Sequence, residues 1–126
     1  MEECWFVYGL HIWRYFIGLE VYHSKGTESS VSFLWEKAIS RLCIGWCHTH
    51  PTKNILPSPT DHRTMRSWVK GLNRSFLCGI RYGSKTDYYC FRRLKEDRSK
   101  IGYNKLKHHR IGAVVLAKIY GKDKVS

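Results

Sequence analysis

The segment from Leu42 to Asp61 constrains the fold of this 126-residue chain more than any other. An apolar run ends there in His48-Thr49-His50-Pro51, and Ser58-Pro59-Thr60-Asp61 follows after a short gap. Side chains of a strand alternate between two faces, so a strand here would place both histidines on one face. Ser58 followed by proline predicts the N-cap of a helix, with Asp61 at its third position. The segment is therefore predicted to form a strand, a loop and a helix start that meet at one point.

The residues at this meeting point are candidate metal ligands. Two neutral imidazoles and one carboxylate are a common three-ligand set for catalytic zinc. His48, His50 and Asp61 are therefore predicted to bind Zn²⁺ and to leave the fourth position to water, although Fe²⁺ and Mn²⁺ accept similar ligands. Cys43 and Cys47 together with the two histidines would also make a four-ligand zinc set. Alternation along the strand predicts those thiols on the opposite face, which argues against that set.

Composition predicts a single folded domain over residues 1–126. The chain is 43% hydrophobic and 14% aromatic, which argues against disorder. No apolar run approaches the ~20 residues that a membrane-spanning helix needs. The acidic start Met1-Glu2-Glu3 is unlike a signal peptide, and five scattered cysteines suit reduced thiols. Both features predict a cytosolic protein.

Local patterns predict further elements on either side of the central segment. Apolar spacing from Val31 to Leu42 predicts an amphipathic helix. The charge-dense stretch 92–110 is predicted to be a solvated helix or loop, and 111–120 a strand or short helix that docks on the core. Runs of apolar, β-branched and aromatic residues predict strands over 2–9, 11–22, 42–50, 76–82 and 88–92.

The motif H-x-H-x7-S-x-x-D resembles the JAMM signature of the JAB/MPN metalloprotease family. Residues 44–51 resemble that family's strand leading into its first two ligands, and residues 57–68 resemble its bacterial branch. The resemblance covers roughly residues 2–93 and leaves a basic C-terminal segment, 94–126. It implies an α+β fold, a mixed β-sheet flanked by helices in a cytidine-deaminase-like arrangement, with zinc at one edge of the sheet.

Hydrolysis at such a centre needs a base that takes a proton from water. The family's base heads a segment resembling E-x-C-G-L-L-x-G, with which residues 2–9 align, except that Trp5 replaces a glycine. The resemblance implies Glu2 as the base, with Glu3 as the alternative, and Ser58 as a hydrogen-bond donor to the oxyanion. The carboxylates that precede the central strand are Glu2, Glu3, Glu20, Glu28 and Glu36.

Family members carry a strand and a helix before the base glutamate, and this sequence begins almost at that residue. Three explanations remain open: a shortened chain, a true start that lies upstream, or a domain that lacks both elements. The last explanation predicts apolar surface exposed on one side, with low stability or a partner that covers it.

The function implied by the resemblance is that of a zinc-dependent isopeptidase or peptidase that cleaves after the C-terminal tail of ubiquitin or a ubiquitin-like protein. The bacterial branch includes deconjugating enzymes of antiphage operons, and other relatives cleave sulfur-carrier conjugates or act in phage tails. The alternative is a non-catalytic basic scaffold of the same fold that binds a protein partner or nucleic acid through residues 92–110. A net charge of +12 fits an acidic partner, but no motif favours nucleic acid and no segment favours a membrane.

Overall fold

The computed structural model describes residues 2–26 and 41–126, with the backbone alone at residues 2 and 24–26. Within these ranges a single nine-stranded sheet curls into a half-barrel, and one helix packs on it. The elements are β1 (Glu2–Ile12), β2 (Tyr15–Gly26), β3 (Cys43–Thr49), α1 (Pro59–Leu72), β4 (Phe76–Tyr82), β5 (Lys85–Arg93), β6 (Ile101–Lys105), β7 (Lys107–Ile111), β8 (Val114–Lys118) and β9 (Lys124–Val125).

The strand order across the sheet is β7-β8-β2-β1-β3-β4-β5-β6-β9. Strands β3 and β4 run parallel, and all other neighbouring pairs are antiparallel. Parallel strands need a crossover connection, and α1 supplies it between β3 and β4. The crossover places the start of α1 beside the C-terminal end of β3, where His48 and His50 lie.

The helix-side core lies between α1 and the outer face of the sheet. Met65, Trp68 and Val69 form the buried stripe of the helix. They pack with Trp46 of β3 and Phe76 of β4. The indole Nε1 of Trp46 also donates to the sulfur of Met65 at 3.1 Å, which ties the middle of β3 to the helix.

The inner core fills the concave side of the curled sheet. Val7, Phe16, Leu77 and Tyr88 are buried there, from strands that lie far apart in the sequence. The five cysteines are all free and buried, and they are divided between the two cores. Cys4, Cys43 and Cys78 lie in the helix-side core, and Cys47 and Cys90 lie in the inner core.

The predicted α+β fold, a mixed sheet flanked by helices, is wrong. The described residues are mostly strand, and the only helix among them is α1. The error begins at residue 101, because the charge-dense stretch 92–110, which was predicted to be a solvated helix or loop, contributes β6 and most of β7 to the sheet. Charged residues are compatible with those strands since alternate side chains face solvent. Strand β8 agrees with the strand alternative for residues 111–120.

The remaining predicted elements have mixed outcomes. The strands over 42–50, 76–82 and 88–92 and the helix capped by Ser58 are confirmed. Strict alternation along β3 fails at Ile44, where the pairing with β1 shifts register. Cys43 consequently shares the helix-side core with Trp46 instead of lying on the face of Cys47. The helix predicted from Val31 falls almost wholly outside the described residues.

One part of the outer sheet face is apolar and open to solvent. It lies on the hairpin of β1 and β2 and continues onto β8, beyond the strands that α1 covers in the described part of the chain. The exposed apolar side chains of this part of the face are Leu10, Ile12, Tyr15, Ile17, Leu19 and Leu116.

No helix in the described ranges combines the length and apolarity that crossing a membrane requires.

Candidate metal centre

The end of β3 presents two histidines on the helix side of the sheet. His48 is the last buried residue of the strand, and His50 follows it after one intervening residue. Their rings lie 4.8 Å apart at 80°. Thr49, between them, has its hydroxyl oxygen turned to the backbone N–H of Glu3, at 2.8 Å. The period of two therefore brings both imidazoles to one place, as predicted.

The start of α1 presents the carboxylate. Ser58 is the N-cap in extended conformation, and its Oγ accepts from the backbone N–H of Asp61 at 3.1 Å. In return, Asp61 Oδ2 accepts from the backbone N–H of Ser58 at 2.9 Å, which completes a capping box. Both bonds fix the Asp61 side chain at the first turn of the helix, where it faces β3.

The three side chains converge at distances that suit a metal ion. Asp61 Oδ1 lies 3.0 Å from His48 Nε2, and Asp61 Oδ2 lies 3.2 Å from His50 Nε2. One ligand atom from each residue can be chosen so that all lie within 4.8 Å of one another. Bonds of about 2.0–2.1 Å to a tetrahedral ion would place neighbouring donor atoms about 3.3 Å apart. These residues can therefore hold a metal ion.

The hydrogen bonds of His50 also favour a cation at this point. Its Nδ1 lies 2.8 Å from the backbone oxygen of Asn54, so the ring proton of a neutral imidazole belongs there. That leaves the lone pair of Nε2 facing a carboxylate oxygen of Asp61 at 3.2 Å. Two lone pairs at this distance repel each other unless a proton or a metal ion lies between them. The carbonyl of Asn54 thus orients the imidazole of His50, as an outer partner does for a histidine that binds a metal ion.

The electrostatics of Asp61 suit a metal ligand, which must be deprotonated. Burial alone would raise the pKa of this carboxyl, since only 3% of the residue is exposed. The hydrogen bond and charge of His48, together with hydrogen bonds donated to the carboxylate by the backbone and the side chain of Ser58, outweigh burial and lower the pKa to about 2. The carboxylate is consequently ionised at neutral pH.

The structure places the two predicted bases, Glu2 and Glu3, differently. The backbone of Glu2 opens β1, two residues before Cys4, whose partner across the sheet is His48. The side chain of Glu2 lies outside the described part of the structure. Glu3 binds Thr49 through its backbone N–H, and within the described ranges it does not belong to the ligand cluster.

Glu20, a further carboxylate before the central strand, belongs to a separate polar cluster on the concave side. Its carboxylate accepts from Arg81 at 2.7 Å and from Arg110 at 2.5 Å, and also from the hydroxyl of Tyr88. Arg81 is also held by Thr86, at 2.8 Å. Glu20 is therefore a structural ion-pair centre on the other face of the sheet. Glu28 and Glu36 lie outside the described residues.

Asn54 and Trp46 support the site in addition to the predicted ligands and Ser58. Asn54 acts through its backbone carbonyl, which no side-chain pattern could reveal. Trp46 packs its ring 4.5 Å from that of His48 while Met65 holds its indole N–H. An aromatic residue two positions before a ligand is a usable signal, because both side chains share one face of the strand. The rival zinc set is also excluded for the described residues, since the ligand cluster contains no cysteine.

No family model matches this chain, and no curated protein matches it either.

Proposed function

We propose that this chain is a zinc-dependent isopeptidase or peptidase that cleaves the amide bond after the C-terminal tail of a ubiquitin-like protein. One observation carries the proposal: His48, His50 and Asp61 converge within 4.8 Å beside the hydroxyl of Ser58. The same four residues make up the motif that resembles the JAMM signature. That resemblance supplies the substrate class, and the geometry supports hydrolysis.

The ligand set favours Zn²⁺ among divalent ions. Two imidazole nitrogens and one carboxylate oxygen match catalytic zinc sites, in which a fourth position stays open. His48, His50 and Asp61 would hold the ion, and His50 is already oriented by the carbonyl of Asn54. Once bound, the ion would supply a Lewis acid that lowers the pKa of a water molecule and polarises the scissile carbonyl.

Ser58 is proposed to stabilise the negative charge that builds on the substrate oxygen. Its Oγ accepts from Asp61 N–H at 3.1 Å, and this bond does not use the hydroxyl proton. That proton can turn from the Asp61 carboxylate to the substrate oxygen while the capping box holds Oγ in place. Glu2 is proposed to take a proton from the attacking water and to return it to the amine as the carbon–nitrogen bond breaks.

The proposal is tested with the purified full chain and an isopeptide-linked conjugate of a ubiquitin-like protein that ends in Gly-Gly. We expect cleavage at the tail, loss of cleavage on treatment with a chelator, and recovery on addition of Zn²⁺. The control is the same conjugate with a bulky residue at the scissile position. It should be cleaved poorly, because Trp46 and the Ser58 cap crowd the centre. Cleavage that persists in chelator would exclude a metal-dependent reaction, and absence of any cleavage by zinc-loaded protein would exclude a peptidase.

Ser58→Gly is expected to lower kcat by about 10²–10³-fold without changing zinc content. Glycine is nearly as good an N-cap as serine, so helix stability should fall by only a few tenths of a kcal/mol. Ser58→Thr keeps a hydroxyl and should retain most of the activity. Kinetics and metal analysis on both variants provide the measurement. Equal activity of the glycine and threonine variants would show that the hydroxyl takes no part in the reaction.

A further inference from the structure

A cavity of about 210 Å³ lies at the far end of α1 from the candidate metal centre. Its wall includes Asn73, which is the C-cap of the helix, and Ser75. Val69 is the apolar residue of the wall. No acidic side chain lines it. Five of its lining side chains are cations: Arg74, Arg92, Arg93, Lys95 and Arg98.

Contacts within the wall hold two of the guanidinium groups in place. Arg93 donates through Nε to Asn73 Oδ1 at 3.0 Å and through Nη1 to the backbone oxygen of Arg98 at 2.6 Å. The guanidinium of Arg74 lies 4.8 Å from the centre of the Phe76 ring. Groups fixed in this way lose little entropy when a ligand binds, so the cavity is preorganised for an anion.

Among the described residues, a single ion pair joins a cation of the cavity wall to a carboxylate. Arg92 is paired with Asp123, at 2.8 Å. Asp97, in the neighbouring loop, directs its carboxylate to the N–H and hydroxyl of Ser99. Across residues 2–26 and 41–126, no ion pair joins Arg93, Lys95 or Arg98 to a carboxylate.

The helix cannot neutralise the cluster either. The C-terminus of a helix carries a partial charge of roughly −0.5, which is far smaller than the charge of the cations around the cavity. Concentrating like charges in a concave wall raises the local potential and favours a bound anion with more than one negative charge.

We propose that this cavity binds the phosphate group of a phosphomonoester. Such a group carries a charge of about −1.5 to −2 at neutral pH and three acceptor oxygens, which match several guanidinium donors. The planar fork of arginine suits phosphate geometry, and four of the five cations are arginines. Inorganic phosphate and the terminal phosphate of a nucleotide share this chemistry.

The site is independent of the proposed peptidase. Asp61 and Asn73 lie at opposite ends of α1, and twelve residues of helix span about 18 Å. Loss of phosphate binding should therefore leave zinc content and peptide cleavage unchanged. The two proposals can fail separately.

The experiment is calorimetric titration of the full chain with inorganic phosphate, with 5′-AMP and with adenosine, at constant ionic strength. We expect saturable binding of one phosphate or one 5′-AMP per chain, no binding of adenosine, and weaker binding at high salt. Equal affinity for the first two would assign recognition to the phosphate group alone, and tighter binding of 5′-AMP would assign it to a nucleotide.

Variants of the wall provide the control. Lys95→Ala with Arg98→Ala removes two exposed cations and should weaken binding about tenfold or more without affecting the fold. Arg93→Ala should weaken it further. Arg63→Ala, an exposed arginine on the first turns of α1, should leave binding unchanged. Absence of saturable phosphate binding would overturn the proposal, as would equal binding by all variants.

Discussion

Replacing His48 with alanine is expected to abolish stoichiometric metal binding and proteolysis together. His48 would supply one of the three protein ligands, and the two remaining ligands would not hold the ion in a defined geometry. Removing an outer partner of a ligand already costs roughly 10–100-fold in affinity, and removing the ligand itself should cost more. Elemental analysis of protein prepared without chelator, beside cleavage of the Gly-Gly conjugate, measures both effects.

His62→Ala is the matched control for this variant. His62 follows Asp61 directly on α1, but its Nδ1 contacts the hydroxyl of Ser126 at 2.7 Å instead of the ligand cluster. The His62→Ala protein should keep one zinc per chain. A His48→Ala protein that still binds one zinc per chain would remove His48 from the ligand set.

Glu20→Gln is expected to destabilise the fold by about 3–5 kcal/mol, although Glu20 lies on the other face of the sheet from the metal centre. The side chain is 2% exposed and binds two arginines at once. A neutral amide leaves Arg81 and Arg110 close together without a counter-charge, in partly buried positions. Urea unfolding at pH 7 measures the loss. Glu96→Gln, at an exposed position, should change the free energy of unfolding little.

The same cluster makes the free energy of unfolding depend on pH. Burial alone would raise the pKa of Glu20, but hydrogen bonds from Arg81 and Tyr88 and the charges of two arginines lower it below the ordinary 4.5. The ionised form therefore stabilises the folded state fully above about pH 4.5. This contribution is lost as pH falls from that value through the folded-state pKa. The difference in unfolding free energy between wild type and Glu20→Gln should shrink over the same range, and a difference that grows with acidity would contradict the assignment.

The features that the sequence predicted correctly depend on neighbours along the chain. The capping box joins Ser58 to Asp61, three residues apart, so its pattern is visible locally. His48 and His50 share a face because of the period of the strand itself. The convergence of all three ligands followed from these two local rules and a short loop.

The features that were missed depend on distant partners. Arg110 pairs with Glu20 across 90 residues of chain, so no local window contains the interaction. Residues 101–111 are as charged as a solvated segment. They form strands because β6 pairs with β5 and β7 pairs with β8. The register shift at Ile44 depends on how β1 and β3 meet, which strand alternation alone does not specify.

The buried cysteines give each core its own chemical reporter of opening. Burial raises the pKa of Cys47 and Cys90 to about 12, and it also raises the pKa values of Cys43 and Cys78. Alkylating reagents attack the thiolate, so modification at neutral pH waits for the surrounding core to expose the sulfur. Labelling at Cys78 then reports separation of α1 from the sheet, and labelling at Cys90 reports uncurling of the half-barrel. The order in which the two sulfurs react distinguishes opening of one core from unfolding of the whole domain.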